Sequence, residues 1–344
     1  MIKRIVLALL FVAMATGLYY RELVSYGWMQ AKGQLEILWN VQDVQDVLNN
    51  PSYPDSLKSR IRLIEEIKQF GYDSLGIKPS NNYTTFYDQK GKPILWVITA
   101  SEKYKLESYE WHFPIIGTFP YKGFFDSTRA VAEIDLLKSQ GYDTDMGEVS
   151  AWSTLGYAKD PILSGMLERS VGSLANLILH ELTHGTLFVK NNLSLNENLA
   201  TFVGDLGAER FLKSKYGPES KELKQYEYSK RYRDAYSTHI MHGTRQLDSL
   251  YATFTTEMGE KHKDSLKFLM ISHILSTTDT LLGNVNTFSK IGRNEDQPLP
   301  NNAYFTGFKT YKEKQNIFKE EFERDFDADF NKYMQYLKEK YPSM

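Results

Sequence analysis

The run LILHELTHGTLFV at positions 177–189 sets a glutamate and two histidines inside what otherwise reads as a buried helix. At about 3.6 residues per turn, His180 and His184 stand one turn apart on nearly the same face, with Glu181 rotated to the side of both. Leu174, Leu177, Ile178, Leu182, Leu187 and Phe188 surround them with apolar surface. A carboxylate in such a place carries a large desolvation cost unless a cation repays it. A divalent metal does so. His180-Glu181-Leu182-Thr183-His184 is an H-E-x-x-H pattern, in which two imidazoles on one helical face hold zinc and the glutamate between them works on a water. A chance occurrence of the pattern belongs on a polar, solvated face. This one sits in an apolar helix, with Gly185 and Thr186 keeping the next turn slim.

Two histidines leave a catalytic zinc one protein ligand short, since such sites use three and keep a position for water. The candidate is Glu197 in SLNENLATFVGDLGAERFL, residues 194–212, which starts a second helix after a reversal at Asn191-Asn192. Ala200, Gly204, Gly207 and Ala208 make that helix thin enough to pack closely on the first. Glu197 has a competing role. Ser194-Leu195-Asn196-Glu197 also spells a capping box, with Ser194 as cap and Glu197 reaching back to a backbone N–H. The expected metal set is therefore His180, His184 and Glu197 around one Zn2+, with the cap reading of Glu197 as the alternative.

At 344 residues the chain can bury a substantial core. Its 41 basic and 43 acidic residues nearly cancel and no basic run stands out, which argues against nucleic acid as a partner. With no cysteine, disulfides, thiol nucleophiles and Cys-ligated metals are excluded. The N-terminus places Lys3 and Arg4 ahead of the apolar stretch IVLALLFVAMATGLYY, residues 5–20. That is the pattern of an export signal, either cleaved after Ala13-Met14-Ala15 or kept as a membrane anchor. The expectation is a leader or anchor over 1–20 and a single exported domain over 21–344, facing the periplasm or cell envelope.

Within 21–344 the pattern divides at about residue 170. Residues 28–72 carry helical spacing broken by NNPSYPDS. From 83 to 157 the signals are strand-like, with PILWVITA (93–100) and EVSAWSTLGY (148–157) as strands and a helix at 127–140 between them. From 171 onward everything long is helical, ending in a stripe of Phe318, Phe322, Phe326, Phe330, Tyr333 and Leu337 that predicts one core-facing helix. The fold class expected is α+β: a mixed part with a small sheet over 21–170, then a largely helical part over 171–344 carrying the HELTH helix.

Read together, these blocks resemble a bacterial family of predicted zinc aminopeptidases with HExxH and a downstream NExxA. GQLEIL (33–38), FPIIGTFPYKGFFD (113–126), SAWSTLGYAKDPIL (150–163), HELTH, NENLATF (196–202) and LPNNAYFTGFKTY (299–311) follow in order over nearly the whole chain. The resemblance implies an exported protein with a zincin-like, gluzincin-like site and peptidase activity. Two departures stand out. The lipobox cysteine of many relatives is missing, and the acid that often follows the third ligand by four residues is here Thr201, which leaves Asp205 to support a zinc histidine.

The expected chemistry is amide hydrolysis of a peptide substrate, with Glu181 as general base and Tyr311 as donor to the developing oxyanion. Asp126, Glu148 and Asp160 are the candidates for gripping a free amino terminus. Asn301 and Asn302 read either as substrate contacts or as a turn after Pro300, and His239 and His242 as a solvated helix face. The alternative from another class is a non-catalytic, zinc-stabilised envelope scaffold or binding protein, for which Glu181 would have no use.

Overall fold

The computed structural model describes residues 3–4, 20–113, 117–149, 159–190, 192–281, 299–312 and 315–341, the side chains of 279–280, 309–312 and 315–316 excepted. Its centre is a pair of helices, α5 (Val171–His184) and α6 (Leu193–Tyr216), packed against each other along their length. Ser170 caps α5, its side chain accepting from the Ser173 N–H. Leu174, Ile178 and Leu182 recur at four-residue steps and are all buried, so the apolar face of α5 is the floor of the main core. Helix α6 can approach so closely because it lacks side chains where it crosses. A Cβ on Gly204 would stand 3.0 Å from the Asn176 carbonyl oxygen and 3.2 Å from the His180 Cβ, and one on Gly207 would stand 2.9 Å from Leu179.

Ahead of this pair come α1 (Arg21–Asn40), α2 (Val44–Asn49) and α3 (Asp55–Ser74), then three small sheets. The break between α2 and α3 falls at NNPSYPDS, as the turn chemistry predicts. Strand β2 (Thr85–Tyr87) lies between β1 (Gln42–Asp43), antiparallel, and β8 (Ile162–Leu163), parallel. Strand β3 (Trp96–Glu102) lies between β6 (Lys122–Phe124) and β7 (Tyr142–Glu148), both antiparallel, with Trp96 opposite Phe124 and Glu148. Strands β4 (Trp111–Phe113) and β5 (Gly117–Phe119) form a separate ribbon. Helix α4 (Ser127–Ser139), capped by Asp126, connects β6 to β7. The expected small sheet is thus three sheets, two of three strands and one of two. Of the expected strand at 148–157 only Glu148, the last residue of β7, and Val149 are described; residues 150–158 lie outside the described residues, as do residues 5–19 of the apolar N-terminus. Among the described residues no helix is long and apolar enough to cross a membrane.

The rest is helical: α7 (Lys221–Tyr251), α8 (Glu260–Ser276), α9 (Asn302–Lys312), α10 (Gln315–Asp325) and α11 (Phe330–Lys340). The C-terminal aromatic stripe is not one helix but two. Asp327 and Ala328 turn left-handed at φ 50° and 57°, and Asp329 then caps α11. Phe318, Phe322, Phe330 and Tyr333 still converge on Phe202 of α6, so the stripe buries as expected with a corner in its middle. Helix α9 docks onto the paired strands β3 and β7. The buried Asn302 side chain donates to the Glu102 carbonyl at 2.8 Å and accepts from the Tyr251 hydroxyl at 2.8 Å, while the Asn301 side chain donates to the Thr144 carbonyl at 2.9 Å. Beside them the buried Lys267 ammonium of α8 pairs with Asp143 of β7 and donates to the Lys103 carbonyl at 2.8 Å. Both asparagines are thus joints between the α/β part and the helical part.

Candidate metal centre

His180 and His184 project from the last turns of α5, and Glu197 from the second turn of α6. The close crossing at Gly204 brings them together. Their Nε2 atoms stand 3.2 Å apart, and Glu197 presents one oxygen to each, at 3.6 Å. A tetrahedral zinc with ligands at about 2.05 Å keeps them about 3.3 Å apart, so the trio is already spaced for an ion. One ligand atom from each residue lies within 4.8 Å of the others, and this group could hold a metal ion. The imidazole planes cross at 85°, so both nitrogens converge on one point instead of stacking. Side-chain exposures of 19 % for His180 and 16 % for Glu197 leave one side of the group open, whereas His184 at 8 % is shut in.

The electrostatics ask for a cation. Burial, with His180 adding to it, pushes His184 down to about 4, which keeps that imidazole neutral as a ligand must be. Burial also pushes His180 down, but Glu197, Glu181 and Asp205 outweigh it and leave that group above its ordinary value. For Glu197 burial pushes upward and the two histidines outweigh it, so the carboxylate is held below its usual range. Glu181 is raised to about 7 by burial, with the charges of Glu197 and Asp160 adding and His180 opposing. His184 is thus neutral and Glu197 ionised, as ligands must be, while the upward shift of His180 and Glu181 reflects a group of carboxylates short of positive charge, which a divalent ion would supply in place of the His180 proton.

Glu197 is not part of a capping box. Helix α6 begins two residues earlier than that reading requires, with Asn192 as cap and its side chain accepting from the Leu195 N–H. Ser194 lies inside the first turn, leaving Glu197 free to face the histidines. Asp205 is not a prop for either imidazole. Its Oδ1 accepts from Asn176 at 2.9 Å, from the Tyr226 hydroxyl at 3.1 Å and from Arg233 at 3.2 Å, so it reaches His180 through charge alone. Tyr311 falls in the last turn of α9, with its side chain outside the described residues.

The three acids considered for an amino terminus are scattered. Asp126 caps α4, Glu148 ends β7 in the open, and buried Asp160 exchanges hydrogen bonds with Asn82. Of these only Asp160 stands near enough to Glu181 to act on its charge. His239 is not on a solvated face, since its Nε2 meets the Ile274 carbonyl at 2.7 Å and so ties α7 to α8; His242 is exposed as expected.

Two tyrosines beside the group went unnoticed in the sequence. Tyr121 is half-buried, and burial followed by the charge of Glu197 raises its hydroxyl pKa. Tyr83 is fully buried and pushed up by burial and then by Glu181, and its hydroxyl has no hydrogen-bond partner among the described residues. In a chain with 23 tyrosines neither carries a local signature.

A family model described as "Putative aminopeptidase" matches residues 25–341. No curated protein and no solved structure matches the chain. The matched span covers both helices of the His180, His184 and Glu197 group, all of the small sheets and the C-terminal corner, and the chain therefore belongs to this aminopeptidase family.

Proposed function

We propose that the protein is a zinc-dependent aminopeptidase with a zincin-like centre, acting on peptides outside the cytoplasm. The observation that carries the reading is the spacing of His180, His184 and Glu197, with Glu181 next to them and pointing to a second duty. His180, His184 and Glu197 hold the ion. Zinc bound there supplies a Lewis acid for the scissile carbonyl and lowers the pKa of a water. Glu181 would take a proton from the attacking water and deliver it to the leaving amine. Its upward-shifted carboxyl suits a group that must accept and then release a proton near neutrality. Tyr121, close to Glu197, is a more accessible candidate than buried Tyr83 for contacting the substrate oxygen, and Tyr311 remains the candidate from the sequence.

Removal of residues from a free amino terminus is the family's contribution to the reading. Export is the contribution of Lys3, Arg4 and the apolar run behind them. The test is metal analysis of the purified protein together with hydrolysis of peptides carrying free or acetylated amino termini. Zinc near one per chain and cleavage of the free peptides alone are expected. Glu181→Gln should keep the zinc and lose the hydrolysis by several orders of magnitude. Retained hydrolysis in zinc-loaded Glu181→Gln would remove the general base. Equal cleavage of acetylated peptides would make the protein an endopeptidase, and no hydrolysis of any peptide by the zinc-loaded parent would leave a scaffold.

A further inference from the structure

Helix α1 is apolar on two opposite faces. With successive residues about 100° apart, Met29, Gly33 and Ile37 share one face, and it is buried. That face is fastened to the body. The Tyr26 hydroxyl and the Gln30 amide both donate to the Gly123 carbonyl, at 2.9 and 2.6 Å, and Arg129 donates to the Ser25 carbonyl at 3.0 Å. A methyl on Gly33 would stand 2.1 Å from the Phe125 ring, so the helix can lie this close to the body only because that position has no side chain. The opposite face carries Tyr20, Val24, Trp28, Leu35, Leu38 and Trp39, all exposed, with the two tryptophans at 72 % and 77 %.

A helix packed on one side presents charge on the other when water is its only neighbour. This one presents tryptophan and leucine. We propose that the outward face of α1 lies in the surface of a lipid bilayer, with the helix parallel to the membrane plane and the body fixed above it. Continuity names lipid as the occupant: the stripe begins at Tyr20, where the apolar run of residues 5–20 behind Lys3 and Arg4 ends. Tryptophan and tyrosine are the side chains that settle at the boundary between headgroups and acyl chains. Arg21 and Lys32 balance Glu22 and Glu36 on the helix, so apolar area, not attraction to anionic lipid, holds it there. At about 1.5 Å per residue the contact runs for about 30 Å. The inference rests on the membrane-directed reading of the N-terminus and is independent of the metal centre.

The absence of native cysteine makes a clean test available. Single cysteines are placed in the full chain by Val24→Cys and Leu35→Cys on the stripe and Glu36→Cys beside it. Each is labelled with a polarity-sensitive fluorophore and mixed with phosphatidylcholine vesicles. The labels at 24 and 35 should both shift to the blue and lose quenching by aqueous iodide, while the label at 36 stays quenchable. No change at 24 and 35 overturns the proposal. So does a shift at 24 without one at 35, which means the helix leaves the bilayer end-on, or a shift at all three, which means it is engulfed. Protection of 24 and 35 without vesicles, growing with protein concentration, assigns the face to a second copy instead.

Discussion

A single side chain, Glu197, had two meanings in the sequence, and the geometry separates them. Its oxygens face both imidazoles at 3.6 Å while Asn192 does the capping. Glu197→Gln retains a side chain of the same shape but removes the negative charge from a site whose other donors are neutral rings. Zinc affinity should fall by more than about 100-fold, since even partners outside the ligand set commonly cost 10- to 100-fold. The metal-free protein should melt close to the parent. Isothermal titration with zinc and a thermal scan of the apo form measure the two effects, and unchanged affinity would remove Glu197 from the ligand set. His180, Glu181 and His184 were legible from their spacing in an apolar helix. Tyr83 and Tyr121 were not, because what distinguishes them is proximity across long stretches of chain, which no local pattern encodes.

Helix starts and stops show where local rules compete. SLNE satisfies the capping-box pattern, but Asn192, two residues earlier, already accepts from the Leu195 N–H, and a helix needs only one cap. Asn192→Ala should therefore cost about 1 kcal/mol in denaturant unfolding, and Ser194→Ala clearly less. The opposite ranking would restore the box. The C-terminal corner was hidden for a different reason: phenylalanines at four-residue steps continue the helical period across the break, so the pattern cannot reveal it. Long-range partners hold the corner, with Arg210 donating to the Ala328 carbonyl at 2.7 Å. Glu321 of α10 then accepts from the Tyr333 and Tyr336 hydroxyls and the Lys340 ammonium of α11. Burial raises the Glu321 pKa, but these donors outweigh it and hold the group below its ordinary 4.5. A carboxyl depressed on folding adds stability above its unfolded value and loses it as pH falls through the folded one. Stability should therefore drop below about pH 4.5, and Glu321→Gln should flatten that acid limb. An unchanged acid limb in the variant would show that the corner draws nothing from this charge.

At the scale of the molecule, the mixed class was legible because strand-like runs are confined to the stretch between the first helices and about residue 170, after which the long runs are all helical. How the parts meet was not. The joint of Asn301, Asn302, Asp143 and Lys267 brings together residues more than 100 positions apart, and in the sequence its asparagines looked equally like a turn. The whole molecule also bears on what an ion held by His180, His184 and Glu197 would be for. Ile61, Ile64, Ile67, Leu174, Ile178, Leu199, Phe202, Phe330 and Tyr333 are buried in one apolar core that reaches from α3 to α11. A core of that extent folds by apolar burial, unlike small zinc modules whose folding energy is the metal's own. A ligand bound only by the native state adds about 2.7 kcal/mol when present at 100 times its dissociation constant, or roughly 5–10 °C in a chain of this size. Chelation should therefore abolish peptide hydrolysis, lower the melting temperature by no more than that order, and leave far-ultraviolet circular dichroism intact, with zinc restoring activity to the folded apo protein. A chelated protein that unfolds at room temperature would make the ion structural, and the argument from an open side at His180 and Glu197 would fail with it.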